Sequence, residues 1–127
     1  MKTIKQIYHI QAPVEEVWKA LVETELIELW GAGTADMSDE EGFEFELWGG
    51  EIHGKNIEVI HEEKLVQEWY GGKWEEPSVV TFTLEEDGNT TTVDILQTNV
   101  PDDEAKDIEH GWRDFYMLPL KEFVEEK

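Results

Sequence analysis

Residues 3 to 10 alternate between two faces. Ile4, Gln6, Tyr8 and Ile10 share one, and Thr3, Lys5, Ile7 and His9 the other. A period of two built on β-branched and aromatic residues predicts a strand. Ala12-Pro13 stops it, and proline suits a first helical turn because its missing N–H is not needed there. Glu15 and Glu16 favour the positive end of a helix dipole. Val14, Val17, Trp18, Leu21 and Val22 then recur at i, i+3, i+4, i+7 and i+8, which predicts one apolar stripe on a helix of about three turns. Thr24 can cap a second, short helix carrying Leu26, Ile27, Leu29 and Trp30, which Gly31 and Gly33 end.

The period then returns to two. In Gly42 to Trp48, Phe43, Phe45 and Leu47 oppose Glu44, Glu46 and Trp48, and Gly49-Gly50 reads as a hairpin turn. Residues 51–60 form the return strand, and 64–70 another that Gly71-Gly72 closes. In residues 78–84, Val80, Phe82 and Leu84 oppose Val79, Thr81 and Thr83. Asp87-Gly88-Asn89 is the strongest turn signal of the chain, and residues 91–97 return from it with Val93 and Ile95 aligned. Consecutive strands joined by tight turns predict an antiparallel sheet. Pro101 and Asp102 open a last helix on which Ile108, Trp112, Phe115, Tyr116, Leu120 and Phe123 recur. Pro119 lies inside it and predicts a kink, since an interior proline removes a hydrogen bond and crowds the preceding turn.

The expected fold is therefore α+β. One strand and two short helices precede a curved antiparallel sheet of about six to seven strands, wrapped on a long C-terminal helix. The 127 residues, 39% hydrophobic and 11% aromatic, predict one domain over 1–127 with no linker or internal repeat. A curved sheet gripping one amphipathic helix leaves room for an apolar pocket between them.

Charge changes the picture more than size does. There are 31 acids against 10 bases, a net charge of −21, and Arg113 is the only arginine. Nucleic acid is excluded as a partner, because backbone affinity comes from Lys and Arg, and an anionic membrane surface is disfavoured on the same ground. The surplus reads first as a solvated, self-repelling surface that keeps a monomer or weak dimer soluble. A saline or alkaline host, or a basic partner, would explain it as well. The absence of cysteine removes disulfides, thiolate metal sites and thiol nucleophiles, which suits the cytoplasm. No apolar run reaches the ~20 residues that cross a bilayer, and the alternating N-terminus lacks the apolar stretch of a secretory signal.

The search for chemistry points to a pocket more than to a reaction. Six tryptophans, Trp18, Trp30, Trp48, Trp69, Trp74 and Trp112, lie in or beside expected elements. Trp112 and Tyr116, one helical turn apart, are the leading candidates for a ligand pocket. Phe45, Trp69 and Phe82 are candidates for its sheet side, with Trp18 beside them. Trp69 shares its face with Leu65 and the polar Gln67, and a one-residue bulge would invert that face. His53, Asn56, Gln67 and Gln97 are strand residues that could orient a ligand, though each type more often faces solvent. Glu68 or Asp94 would become a general acid if buried beside the pocket. Known catalytic and metal motifs are not met. His61-Glu62-Glu63-Lys64-Leu65 has leucine where a zinc-binding H-E-x-x-H needs histidine. His9, His53, His61 and His110 share no ligand spacing, and no acidic run has the twelve-residue calcium-loop pattern. No catalytic residue, metal or cofactor is assigned.

Four segments in order also resemble a known family. QIYHIQAPVEEVWKALVETELIELWG is similar to the opening of the START-like, birch-pollen-allergen-like helix-grip superfamily. Within it, GFEFELWGGEIHGKNIEVIHEEKLVQEWYGG resembles the three-strand meander of the family named for the activator of the ninety-kilodalton heat-shock protein's ATPase. VVTFTLEEDGNTTTVDILQTNVP resembles that family's next hairpin, and EHGWRDFYMLPLKEF, with Gly111-Trp112, its final helix. The resemblance implies a helix-grip fold with a cavity under the last helix. In eukaryotic members a separate domain supplies part of the chaperone binding, and no segment here resembles it. The expected function is therefore binding of a small apolar or amphipathic molecule. The alternatives are a co-chaperone-like module that meets a basic protein through its acidic surface and, third, a cyclase- or hydrolase-like enzyme.

Overall fold

The computed structural model describes residues 1–126. Strand β1 (Lys2–Ile10) is followed by helices α1 (Val14–Val22) and α2 (Thr24–Trp30). Strands β2 (Glu44–Leu47), β3 (Ile52–Ile60), β4 (Lys64–Gly71), β5 (Ser78–Asp87) and β6 (Thr90–Val100) come next. The chain ends in α3 (Ala105–Gly111), a π-helical stretch (Trp112–Met117) and α4 (Leu118–Glu125). The strands form one antiparallel sheet ordered β1-β6-β5-β4-β3-β2. This is the expected α+β helix-grip architecture, with six strands.

The alternating pattern chooses the buried face. Ile4 and Ile10 of β1, Phe45 and Leu47 of β2, and Val80, Phe82 and Leu84 of β5 all point into the core. They meet Val17, Trp18 and Leu21 of α1, Ile27 and Trp30 of α2, and Leu120 and Val124 of α4. Gly31 ends α2 with φ of 117°, a left-handed cap that glycine adopts without side-chain strain. Pro13 stands just before α1, whose first N–H, on Val14, is taken at 2.8 Å by the Glu86 carboxylate from the β5–β6 hairpin. An anion there satisfies an orphan donor and faces the positive helix end. Thr24 does not cap α2. Its hydroxyl instead accepts the Met37 N–H at 2.8 Å and donates to the Met37 carbonyl at 3.1 Å, binding the loop after α2.

The one-residue irregularity that would have inverted β4 falls in β3, between Asn56 and Glu58, where Ile57 bulges outward. Strand β4 alternates without a break, so Leu65, Gln67 and Trp69 all face inward. Gly54 makes the packing above them feasible. It is paired with Phe45 on one side and Trp69 on the other. A Cβ there would lie 1.7 Å from the Glu68 carbonyl oxygen and 3.1 Å from the Phe45 ring.

The break expected at Pro119 is a change of hydrogen-bond register. Backbone dihedrals stay helical through Met117 and Leu118, but the Leu118 N–H reaches back five residues to the Arg113 carbonyl. The wide turn ends just before the proline, whose missing N–H then falls in the first turn of α4. The extra residue also lets Trp112, Tyr116 and Met117 all face the sheet, while Phe115, expected on that face, is turned out and 67% exposed.

The end of α4 is tied back by Glu125, which accepts the Gln11 N–H at 2.8 Å and pairs with Lys121. The Gln11 amide, and then Lys121, hold this carboxyl below its usual range. A carboxyl with a depressed folded-state value stabilises fully above its unfolded value of ~4.3 and loses that contribution as pH falls through the folded value. Glu125→Gln is therefore expected to be less stable than the parent at pH 7 by urea unfolding, and the gap should close in the acid range below ~4. Gly54→Ala is expected to lose more than ~2 kcal/mol in the same assay, because the clash is with backbone. A loss within ~0.5 kcal/mol would show that β3 can move away from β4.

Candidate ligand site

The end of the sheet formed by β3 and β4 and the C-terminal helix border an open-sided cavity of about 340 Å³. Its helix side is Ile108, Gly111, Trp112, Phe115 and Tyr116, and its sheet side is Ile52 and Trp69. Trp48 and Glu51, from the turn between β2 and β3, complete the wall. Three of the five aromatic rings in its lining form one packed group. Trp69 and Trp112 are 4.8 Å apart between ring centres and tilted by 31°, and Tyr116 lies 4.8 Å from Trp112. Trp48 meets Tyr116 edge-on at 6.3 Å.

Buried polar side chains hold this group from behind. The Trp112 indole N–H donates to the Gln97 side-chain oxygen at 2.7 Å, and the Gln97 amide donates to the Ser78 hydroxyl at 2.7 Å. The Trp69 indole N–H donates to the Gln67 oxygen at 2.7 Å, and the Gln67 amide donates to Asn56 at 2.9 Å. Asn56 in turn donates to the Ser38 and Glu40 carbonyls. Gln67, Gln97, Asn56 and Ser78 are all buried, so each needs these partners. These bonds account for the polar residues on inward faces: Gln67, Gln97 and Asn56 position the aromatic wall and are not on it. His53 points outward and stacks on Tyr70 at 5.4 Å. Glu68 and Asp94 lie on the outer face, in alternation with the inward residues, so neither stands beside the cavity as a general acid. Burial pushes the Tyr116 phenol well above its ordinary value, so it stays neutral.

Of the residues singled out from sequence, Trp69, Trp112 and Tyr116 come together on the cavity wall. Phe82 and Phe45 lie one layer behind. Phe82 packs edge-on against Trp112 at 5.6 Å, and Phe45 against Trp69 at 6.2 Å. Trp18 is elsewhere. It borders a second cleft, of about 560 Å³, whose rim carries Glu15, Glu23, Glu25, Asp39, Glu40 and Glu62. The Trp18 ring meets His61 edge-on at 5.7 Å, and its buried indole N–H has no hydrogen-bond partner among the described residues.

Trp48, Glu51, Ile52, Ile108, Gly111 and Phe115 also line the cavity and were not named for it from the sequence, although Ile108 and Phe115 were placed on the apolar face of the last helix. Trp48 is the instructive case, because alternation puts it opposite Phe45. Strand β2 ends one residue earlier, and Trp48 adopts φ of 51°, in the left-handed region. That conformation is strained for a bulky residue and persists only where surroundings enforce it. Here the Trp48 N–H donates to the Ala32 carbonyl and the Gly49 N–H to the Thr34 carbonyl, both at 2.8 Å. Gly33 permits the approach, since a Cβ there would sit 3.0 Å from the Trp48 Cα. The available signal was Trp48-Gly49-Gly50 itself, a bulky residue opening a glycine turn.

No three or more His, Asp or Glu side chains among the described residues converge to hold a metal ion, and no described helix is long and apolar enough to cross a membrane. The family model described as activator of Hsp90 ATPase homolog 1-like protein matches residues 11–125. The chain belongs to that family. A curated relative in Dictyostelium discoideum, the activator of 90 kDa heat shock protein ATPase homolog, is 32% identical over 115 residues, covering 88% of this chain and 30% of that protein. The chain thus spans about a third of the length of the curated relatives it matches. An HSP90 activator from Plasmodium falciparum superposes with a TM-score of 0.90 at 19% identity, over 98% of this chain and 96% of that one. The Aha1 dimer from Colwellia psychrerythraea gives 0.85 at 22% identity, over 98% and 97%. At these identities the two structures establish the shared fold.

Two substitutions test the aromatic wall. Trp112→Ala should cost ~3–5 kcal/mol of unfolding free energy, as for a buried aromatic ring. A loss below about 1 kcal/mol would contradict its packing role. Gln97→Leu keeps much of the volume but strands the Trp112 N–H and should cost ~1–3 kcal/mol. An unchanged denaturation midpoint would mean that bond contributes nothing.

Proposed function

We propose that this member of the Hsp90 ATPase activator homologue family binds a small apolar or amphipathic molecule between its sheet and its C-terminal helix. The observation that carries this reading is a cavity of about 340 Å³ whose wall is aromatic and aliphatic except for Glu51. Such volumes and linings are typical of small-molecule sites. Binding would be driven by removing apolar surface from water, at roughly 25 cal/mol per Å². The tethered indoles need no rearrangement to receive a ligand, which lowers the ordering cost.

A two-dimensional amide NMR titration with apolar and amphipathic compounds tests it. Saturating shifts should cluster on Ile108, Gly111, Trp112, Phe115 and Tyr116. Gly111→Leu supplies the control. A Cβ at Gly111 has ordinary contact with Phe115, its nearest neighbour at 4.0 Å, and leucine is the better helix former. That variant should stay folded and lose binding. No shifts with any compound, or unchanged binding by Gly111→Leu, would overturn the reading.

A second reading rests on the other cleft. Its rim carries six carboxylates, of which Glu15 is paired with Lys19, an arrangement that would suit a basic protein segment. Several relatives are described as activators of a heat-shock ATPase, so a chaperone is one such partner. Raised salt should weaken that association steeply and leave uncharged ligands in the cavity nearly unaffected.

A further inference from the structure

The cavity also carries information about the charge of its occupant. Two polar groups on the wall, the indole N–H groups of Trp69 and Trp112, already donate to Gln67 and Gln97. They are therefore not free to receive a carboxylate or phosphate. Among the described residues Glu51 is the only charged side chain of the lining, and it is exposed and in none of the ion pairs. Beside it stands Trp48, held at φ of 51° by the Ala32 and Thr34 carbonyls. Indole is the ring that attracts a cation best, through the negative potential over its face. A carboxylate and a fixed indole at the mouth of an otherwise apolar cavity complement a positive head group on an apolar body.

The overall charge of −21 acts in the same direction. Screening at physiological salt confines bulk charge effects to about 8 Å. Glu51, within the lining, is therefore the group that decides. An anionic head at this mouth would meet a like charge with no cation in the wall to offset it.

We infer that the ligand of this cavity is an amphipathic cation: an aromatic or aliphatic body seated against Trp69, Trp112 and Tyr116, with an ammonium-type head group between Glu51 and Trp48. This rests on the cavity being a ligand site, and it adds the sign of the charge and the residues that read it. Burial of the apolar body supplies most of the affinity. Glu51 and Trp48 supply the discrimination.

The test uses three probes with the same ring: naphthalen-1-ylmethylamine, naphthalen-1-ylmethanol and naphthalene-1-carboxylate. Each is titrated calorimetrically into the protein at low and at physiological salt. The amine should bind about ten-fold more tightly than the alcohol, and the carboxylate more weakly than the alcohol. Glu51→Gln should narrow the amine-to-alcohol ratio about three-fold, leaving the part that the Trp48 ring supplies. Glu51 is an exposed turn residue, and substitution there is not expected to disturb folding. Equal affinity for all three probes, tighter binding of the carboxylate, or an amine preference undiminished by Glu51→Gln would overturn the charge assignment while leaving an apolar site in place. If none of the three binds, the cavity reading falls together with it.

Discussion

Two indole N–H groups, each donated to a buried glutamine, hold together the part of this molecule where sheet and helix face one another. Trp69 belongs to the sheet and Trp112 to the helix, and their rings meet at 4.8 Å. Each ring has limited freedom to turn, because rotation would break its bond and strand both an N–H and an amide oxygen in the interior. Leaving such groups unsatisfied costs about 1–3 kcal/mol each, more than a typical ring contact gains. The glutamines are fixed in turn by Ser78 and Asn56. Wall, backing and space in front of the wall are thus one cooperative unit.

Other features of the fold serve that unit. Gly54 has no side chain, so Phe45 and Trp69 can pack across it and β3 can close onto β4. The bulge in β3 turns Ile57 outward while keeping Asn56 within reach of Gln67. The π-helical stretch brings Trp112, Tyr116 and Met117 onto one side of the C-terminal helix, which a regular helical turn would spread more widely. It also puts Pro119 where no N–H is required. π-helical turns recur at functional sites because they re-aim side chains in this way.

Family membership and fold leave the activity open, since one fold hosts many functions. Two concave surfaces of this chain contrast in character. One is aromatic, backed by satisfied amides, with a single carboxylate at its mouth. The other is ringed by acids. An apolar body suits the first and a basic segment the second. The surplus of acids makes an anionic partner costly at either.

The order of elements, the buried face of nearly every strand and the core stripe of α1 were legible in the sequence. They depend on side-chain period, a local property that burial of one face enforces. Trp69, Trp112 and Tyr116 were legible as pocket candidates for the same reason. Phe45 and Phe82 had the right face but lie one layer behind the wall, and depth within a layer has no periodic signature. Gln67, Asn56 and Gln97 face inward because partners satisfy them there: the Trp69 indole two residues along for Gln67, the Trp112 indole for Gln97, and the Ser38 and Glu40 carbonyls for Asn56. Trp48 was decided by its contacts to Ala32 and Thr34, which impose a backbone conformation its own residue type disfavours. The sequence by itself determined which residues could be buried together. Only the tertiary structure decided which of them line the cavity, because that depends on a positive φ, a bulge and a helix register set by contacts between distant segments.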